Sequence, residues 1–310
     1  MKISSWKWIS VCALFLPLSC TPPKPAETHQ PATVHAASQD SLRKNIGAFL
    51  QDKKATVGIA VQHLGTGDTF SYNGHLRFPL MSVAKFPESL MLLSQIDRGE
   101  RHLEDSIRYS GADLKVYTGS SFRKDHPGEA VSLTLLESMR YAMGQSDNIS
   151  ANKFFQLLGG PQSLEDYIHR MGIVDMGFST DYAHMKPDSP LQNWGTPRAL
   201  VQLLEKFDRK QILSDSMTKL LYKLMVESTS GTDRIKAGLP AGTTLAHKTG
   251  TSGKNAQGIT AAFNDVGIVT LPDGEHYAIA VFIGNTKEKD TANAGIMQEI
   301  SRMVWERYQK

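Results

Sequence analysis

The sequence has almost no cysteine. Of its 310 residues only Cys12 and Cys20 carry a thiol, and both lie in the first twenty positions. A disulfide framework for the body is excluded, so stability must come from a hydrophobic core, which a chain of this length can build. Closely spaced metal ligands are also lacking. Beyond residue 40 no two histidines stand closer than twelve positions, and neither HExxH nor CxxC occurs, so no metal site is expected. No GxGxxG follows a strand pattern and no P-loop is present, which leaves nucleotide binding without a motif. The net charge is only +3, with Lys and Arg scattered, and no basic stripe asks for nucleic acid. The apolar run Trp8 to Leu18 is too short to span a bilayer. At 40% apolar and 21% charged residues the composition is that of a globular protein, which excludes wholesale disorder.

The first twenty residues have the features of an export signal. Lys2 and Lys7 give a positive start, and Trp8 to Leu18 has the length of a signal core. Ser19-Cys20 ends the run and Thr21-Pro-Pro-Lys-Pro25 follows. A small residue, then Cys, then a proline-rich stretch resembles a bacterial lipoprotein cleavage site, although Pro17 stands where such signals carry an aliphatic residue. An exported, periplasmic protein is expected, either tethered by lipid on Cys20 or released from a plain secretory signal. Losing Lys2 and Lys7 would take the net charge from +3 to +1, too little to capture a polyanion.

Residues 21–38 hold four prolines and no apolar periodicity, which predicts a tether. Thr56 to His63 is predicted as a strand, Gly65-Thr-Gly-Asp68 as a turn, and Thr69 to Tyr72 as the start of a return strand. Thr134 to Met143, Ile149 to Leu158 and Leu164 to Met171 carry apolar residues at helical spacing, with Ser163 as the expected N-cap of the third. Thr196-Pro197 opens a further helix. Thr244 to Lys248, Thr260 to Leu271 and His276 to Ile283 are predicted strands, with Pro272-Asp-Gly274 as a hairpin turn, and Ala294 to Tyr308 as a closing amphipathic helix. The order suggests a mixed α/β (α+β) fold. The two ends of the chain share an antiparallel sheet flanked by helices (39–80 and 229–310), and an all-α block (81–228) is inserted between them. Chemistry is expected in the cleft between the two parts.

Serine chemistry has a candidate. Ser82-Val-Ala-Lys85 is an SxxK, one of six in the chain, and an isolated match usually marks a solvated helix face. Context separates it. Ser82 follows the apolar Phe78-Pro-Leu-Met81, Ser146-Asp147-Asn148 comes 64 residues later, and Lys248-Thr249-Gly250 a further 102 on. At i and i+3 on a helix the Lys85 amine can reach the Ser82 hydroxyl. A serine needs a base to become a nucleophile. A lysine serves only where burial and neighbouring cations lower its pKa. The Ser82 N–H at a helix start, paired with one from a strand edge, can make an oxyanion hole. Ser146 can relay a proton to a leaving nitrogen, and Lys248 can hold Ser146 and attract a substrate carboxylate.

These three motifs are the set of class A β-lactamases and penicillin-binding proteins, and the chain resembles that family from about Ser41 to Tyr308. His247-Lys-Thr-Gly-Thr-Ser-Gly253 and Thr260-Ala-Ala-Phe-Asn-Asp-Val-Gly-Ile-Val269 look most like the PER-like, extended-spectrum branch. The resemblance implies Ser82 as acylated nucleophile, Lys85 as its base, Ser146 as proton shuttle and Asn148 as partner of the substrate's side-chain amide. It implies Lys248, Thr249 and Thr251 as carboxylate binders, with the Thr251 N–H completing the oxyanion hole. Arg234 matches the auxiliary carboxylate-binding arginine, and Tyr117 the aromatic at the cleft mouth. No cofactor or metal is implied, the partner is a small β-lactam, and a monomer is the default expectation.

One departure stands out. Class A enzymes hydrolyse their acyl-enzyme with a glutamate on an omega-shaped loop. Between Gly172 and Asn193 there is no Glu. Aligned without gaps, Tyr182 occupies its place, with Asp181 beside it. Asp181 as a substitute would misplace the water by about an ångström, enough to cost on the order of 10²-fold. His184 or Lys85 is a second possibility, and slow deacylation a third. The expected function is a serine β-lactamase acting through an ester on Ser82. A penicillin-recognising protein that deacylates slowly, or a D-alanyl peptidase of the same fold, is the alternative.

Overall fold

A computed structural model describes residues 32–115, 120–128, 130–186 and 190–309. The expected signal segment with Cys20, the first part of the tether and Tyr117 lie outside the described residues. Helix α1 (Ala32–Leu50) leads into β1 (Thr56–His63), β2 (Thr69–Tyr72) and β3 (Phe78–Pro79). A 3₁₀ turn, Met81–Ala84, runs directly into α2 (Lys85–Asp97). Next come β4 (Ser106–Tyr109), α3 (Gly111–Lys115), α4 (Ser121–Asp125), β5 (Val131–Thr134), α5 (Leu135–Met139), α6 (Asn148–Leu157) and α7 (Pro161–Arg170). They are followed by β6 (Met176–Phe178), β7 (Asn193–Gly195), α8 (Pro197–Asp208) and α9 (Asp215–Val226). The chain closes with β8 (Leu245–Thr251), β9 (Phe263–Thr270), β10 (His276–Gly284) and α10 (Asp290–Tyr308).

The main sheet has the order β2-β1-β10-β9-β8, with every neighbouring pair antiparallel. Both ends of the chain therefore build one sheet. Alternation along the strands sends side chains to two separate cores. On β10, Ala278, Ala280 and Phe282 face the helical block, where they meet Phe86 and Leu90 of α2 and Leu203 of α8. Tyr277, Ile279, Val281 and Ile283 face the other way and pack with Leu42 and Ile46 of α1 and Met297 and Trp305 of α10. Helix α8, from the stretch expected to be the all-α part, lies directly on β1, β9 and β10. Two smaller sheets, β3-β7-β6 and β4-β5, were not expected from the sequence.

Several local expectations change. Helix α1 begins inside the segment expected to be a tether. After Pro31 the chain carries no proline or glycine until Gly47 and is rich in alanine, which permits a helix. Ser163 does not cap α7: Gly160, at φ 94°, is the N-cap and Pro161 takes the first helical position, where its missing N–H costs nothing. Thr196 does cap α8, accepting from the Ala199 N–H at 3.2 Å. The predicted helix from Thr134 is present but changes type partway. Thr134 ends β5 and caps α5 in a capping box with Glu137, and Arg140–Gly144 form a wider π-type turn.

Candidate active site

Ser82 sits on the 3₁₀ turn between β3 and α2, where residues three apart are eclipsed, so Lys85 lies directly beneath it. The Lys85 Nζ donates to Ser82 Oγ at 3.0 Å. Pro87, in the first turn of α2, needs no N–H partner and leaves the helix intact. Met81, just before Ser82, has φ 50°, a left-handed conformation that a side-chain-bearing residue holds only where its surroundings impose it. The surroundings are identifiable. The Asn264 amide on β9 donates to the Pro79 carbonyl at 2.7 Å, and the Leu80 N–H donates to the Asn193 carbonyl at 2.8 Å.

The second motif reaches Lys85 from the other side. Lys85 Nζ also donates to the Ser146 carbonyl and to Asn148 Oδ1, both at 2.6 Å, and lies 3.4 Å from Ser146 Oγ. Ser146 has φ 57°. Asp147 holds it there. One carboxylate oxygen caps α6 by accepting from the Ile149 and Ser150 N–H groups, and the other accepts from the Ser120 hydroxyl and the Phe122 N–H.

Strand β8 is an edge of the sheet and lines the cleft. Lys248 Nζ donates to Ser146 Oγ at 2.8 Å and to the Thr249 carbonyl at 2.9 Å. Ser146 Oγ thus bridges two buried lysines. Gly250 is required by close approach: a Cβ there would collide with the Leu80 carbonyl oxygen and come within 3.2 Å of the Ser82 nitrogen. The strand backbone and the Ser82 N–H are therefore neighbours. Arg234 is buried behind this strand, donating to Thr251 Oγ1 at 2.6 Å and to the Asn264 carbonyl at 2.7 Å, with its guanidinium 3.7 Å from the Phe263 ring centroid. The Thr249 hydroxyl pairs with that of Ser230 at 2.9 Å.

A cavity of about 740 Å³ opens over these groups, bordered by Ser82, Asn148, Tyr182, Thr251, Lys254 and Asn285 among others. Its volume is that of a small-molecule site. Burial governs the charges. It lowers the Lys85 pKa to about 8, against the attraction of Glu88 and Asp147, and it drives Lys248 well below its ordinary value, helped by repulsion from Lys85. A lysine so placed has a substantial neutral fraction near neutral pH and can accept a proton.

Of the expected site residues, Ser82, Lys85, Ser146, Asn148, Lys248, Thr249, Thr251 and Arg234 come together. Asp181 does not. Its Oδ1 accepts from the His184 N–H at 2.9 Å and from the His184 ring at 2.7 Å, the His184 side chain is largely exposed, and neither residue borders the cavity. The aspartate is used up in a local turn. Tyr182 is buried against the site, with its ring centroid 5.0 Å from Lys85 Nζ and 5.5 Å from the Phe155 ring.

Two residues escaped the sequence. Asn152, on α6, accepts from the Ala183 N–H at 3.0 Å and fixes the segment that carries Tyr182. Glu88, one turn beyond Lys85 on α2, is fully buried and accepts from the Tyr182 hydroxyl at 2.6 Å, while its Oε2 has no partner. A lone Glu in Phe86-Pro-Glu-Ser-Leu90, three residues from the motif lysine and just ahead of the apolar run Leu90–Leu93, was the available signal.

With this geometry in place, comparison with known proteins agrees. The profile of the β-lactamase enzyme family matches residues 41–308. A β-lactamase of Bacteroides uniformis is 39% identical over 89% of this chain and 94% of its own length. The extended-spectrum β-lactamase PER-1 of Pseudomonas aeruginosa is 36% identical over 87% and 88%. The crystal structure of a class A β-lactamase from Bacteroides cellulosilyticus superposes with a TM-score of 0.84 at 33% identity, covering 88% of this chain and 98% of that one. The chain belongs to the β-lactamase enzyme family, in its class A serine branch and among the PER-like members.

Proposed function

We propose that the protein is an exported serine β-lactamase that opens the lactam ring of cephalosporins or penicillins through an ester on Ser82. The observation that carries this is the unbroken hydrogen-bonded chain Ser82–Lys85–Ser146–Lys248, whose Ser82 end borders the cleft. The names of the relatives, all β-lactamases, support the substrate class.

Neutral Lys85 takes the Ser82 proton, and Oγ attacks the lactam carbonyl. The oxyanion forms beside the Ser82 N–H, with the Thr251 N–H as the second donor. The Ser146 hydroxyl protonates the leaving nitrogen and is refilled from Lys85, which becomes neutral again, while Lys248 holds Ser146 in place. Thr249 and Thr251 line the place for the substrate carboxylate. Lys248 and Arg234 supply positive potential from behind, Arg234 through the Thr251 hydroxyl that it positions. Asn148 gives its Oδ1 to Lys85 and keeps its amide N–H groups for a carbonyl of the substrate side chain. Water then hydrolyses the ester. Tyr117 at the cleft mouth, the signal segment and lipid on Cys20 belong to the same reading, with a periplasmic location. Among the described residues no helix is long and apolar enough to cross a membrane.

Incubation with a chromogenic cephalosporin tests this. Many product molecules per enzyme, with a transient adduct on Ser82 in the intact mass, are expected. A persistent one-equivalent adduct would mean an acyl-binding protein instead, and release of D-alanine from a pentapeptide a peptidase.

A further inference from the structure

Ester hydrolysis needs a proton acceptor for the attacking water, and among the described residues of the omega segment no carboxylate borders the cleft. Asp181, the nearest acid in sequence, is turned onto His184. A carboxylate lies behind Tyr182, on α2. Glu88 lies on the same helix as Lys85, three residues on, wholly buried, and it receives the hydroxyl hydrogen bond of the residue that stands at the missing glutamate's place. Tyr182 both borders the cavity that contains Ser82 and touches Glu88 behind it. Lys85 Nζ lies over the Tyr182 ring and against Ser82 Oγ, so one amine separates the tyrosine from the nucleophile. The second oxygen of Glu88 has no partner although it is buried, a costly arrangement for a carboxylate with only a structural role.

Resting on the acyl-enzyme reading above, we infer that Glu88, acting through the Tyr182 hydroxyl, is the proton acceptor for deacylation, replacing an omega-loop glutamate with a carboxylate from the nucleophile's own helix. The water oxygen bonds to the ester carbonyl carbon. One of its protons passes to Tyr182 Oη as the tyrosine proton passes to Glu88 Oε1. The tetrahedral intermediate collapses with cleavage of the bond from carbon to Ser82 Oγ, and neutral Lys85 hands the proton of the newly added hydroxyl to that oxygen. The product leaves as a carboxylate with Lys85 neutral again, and Glu88 releases its proton to solvent through the cleft. One water is consumed and one proton released per ester.

The electrostatics fit. Burial raises the Glu88 pKa to about 8, with the Tyr182 hydrogen bond and the charges of Lys85 and Lys248 pulling the other way. The groups facing it are Lys85 from its own helix, Lys248 from β8 and Tyr182 from the omega segment. Only ionised Glu88 accepts a proton, so deacylation should accelerate as pH rises through neutrality and level off above about 8.

The experiment follows adduct formation and adduct decay separately, by intact mass and stopped-flow with a chromogenic cephalosporin, in the wild type, Glu88→Gln and Tyr182→Phe. Decay is expected to slow by ~10²-fold or more in both variants, and to slow at least tenfold more than formation does. The rise of decay with pH should vanish in Glu88→Gln. Wild-type decay in either variant overturns the proposal, as does a pH rise that survives in Glu88→Gln or an equal loss of formation and decay. If Glu88→Gln fails to fold, Tyr182→Phe alone decides by the same ratio. A wild type that never forms an adduct on Ser82 fails at the earlier step and removes the acyl-enzyme reading itself.

Discussion

Lys248 donates to the Ser146 hydroxyl across 2.8 Å, although 102 positions separate the two along the chain. The bond exists because β8 is an edge strand whose lysine points across the cleft at the turn before α6, a turn pinned by Asp147. In the proposed mechanism the pair acts as one proton-delivery unit. Ser146→Ala should lower the second-order rate of adduct formation by about 10²-fold, within the span of a general-acid contribution. Lys248→Ala should cost a similar factor. Because both changes break one unit, the double variant should be little worse than either alone. Rate constants from stopped-flow traces decide this, and fully additive losses would show that the two residues work apart.

The pH dependence of acylation follows from Lys85. Its pKa is lowered to about 8, first by burial and against the attraction of Glu88 and Asp147. In the proposed mechanism the neutral amine is the base, and its fraction grows as pH rises. The rate of adduct formation should therefore climb about tenfold per pH unit below neutrality and flatten above about 8. Asp147→Asn removes one attraction that favours the ammonium, so its plateau should begin at lower pH. A profile flat from pH 5 to pH 9 would exclude Lys85 as the base.

Gly250 gives a steric test of the oxyanion site. A methyl group there meets the Leu80 backbone oxygen and presses on the backbone nitrogens of Ser82 and Val83, at 3.2 and 3.1 Å. Backbone cannot swing aside as a long side chain can. Gly250→Ala should separate β8 from the 3₁₀ turn by a fraction of an ångström and reduce adduct formation by about 10²–10³-fold, the cost of losing an oxyanion donor. Its thermal transition should fall too, measured in the same preparation. Unchanged acylation would mean that the strand backbone does not stabilise the transition state.

Most of the site was legible in the sequence because each motif carries its own local geometry. Ser82 and Lys85 are joined by helical spacing alone, and strands with the boundaries Thr56–His63 and Thr69–Tyr72 followed from β-rich runs flanking a glycine turn. What the motifs could not give was packing between distant segments. The Asp181–His184 turn and the Tyr182–Glu88 hydrogen bond both depend on how residues 180–184 fold back on α2, and no periodicity encodes that. Glu88 also hid within an apolar stretch, where a single acid resembles a solvated helix position until the helix is known to be buried on all sides. The small sheet β3-β7-β6 was missed for a related reason. Its strands are two or three residues long, too short for alternation to register.

Asn152 supplies the last test, because it separates the roles of two adjacent residues. Its Oδ1 is the acceptor for the Ala183 N–H, next to Tyr182, and the residue is buried. Asn152→Ala leaves that N–H without its side-chain partner, at a cost of about 1–3 kcal/mol. For a domain of this size each kcal/mol lowers the thermal midpoint by roughly 2–4 °C. The loosened segment should also let Tyr182 drift from Glu88, so the adduct should persist several-fold longer, with formation less affected. Asp181→Ala acts on the same segment but only removes the turn with His184, whose ring is mostly in solvent. Its adduct should decay within about threefold of the wild-type rate, since no group that contacts the ester is lost. If Asp181→Ala instead traps the ester while Asn152→Ala does not, the aspartate drives the water and the tyrosine is a bystander.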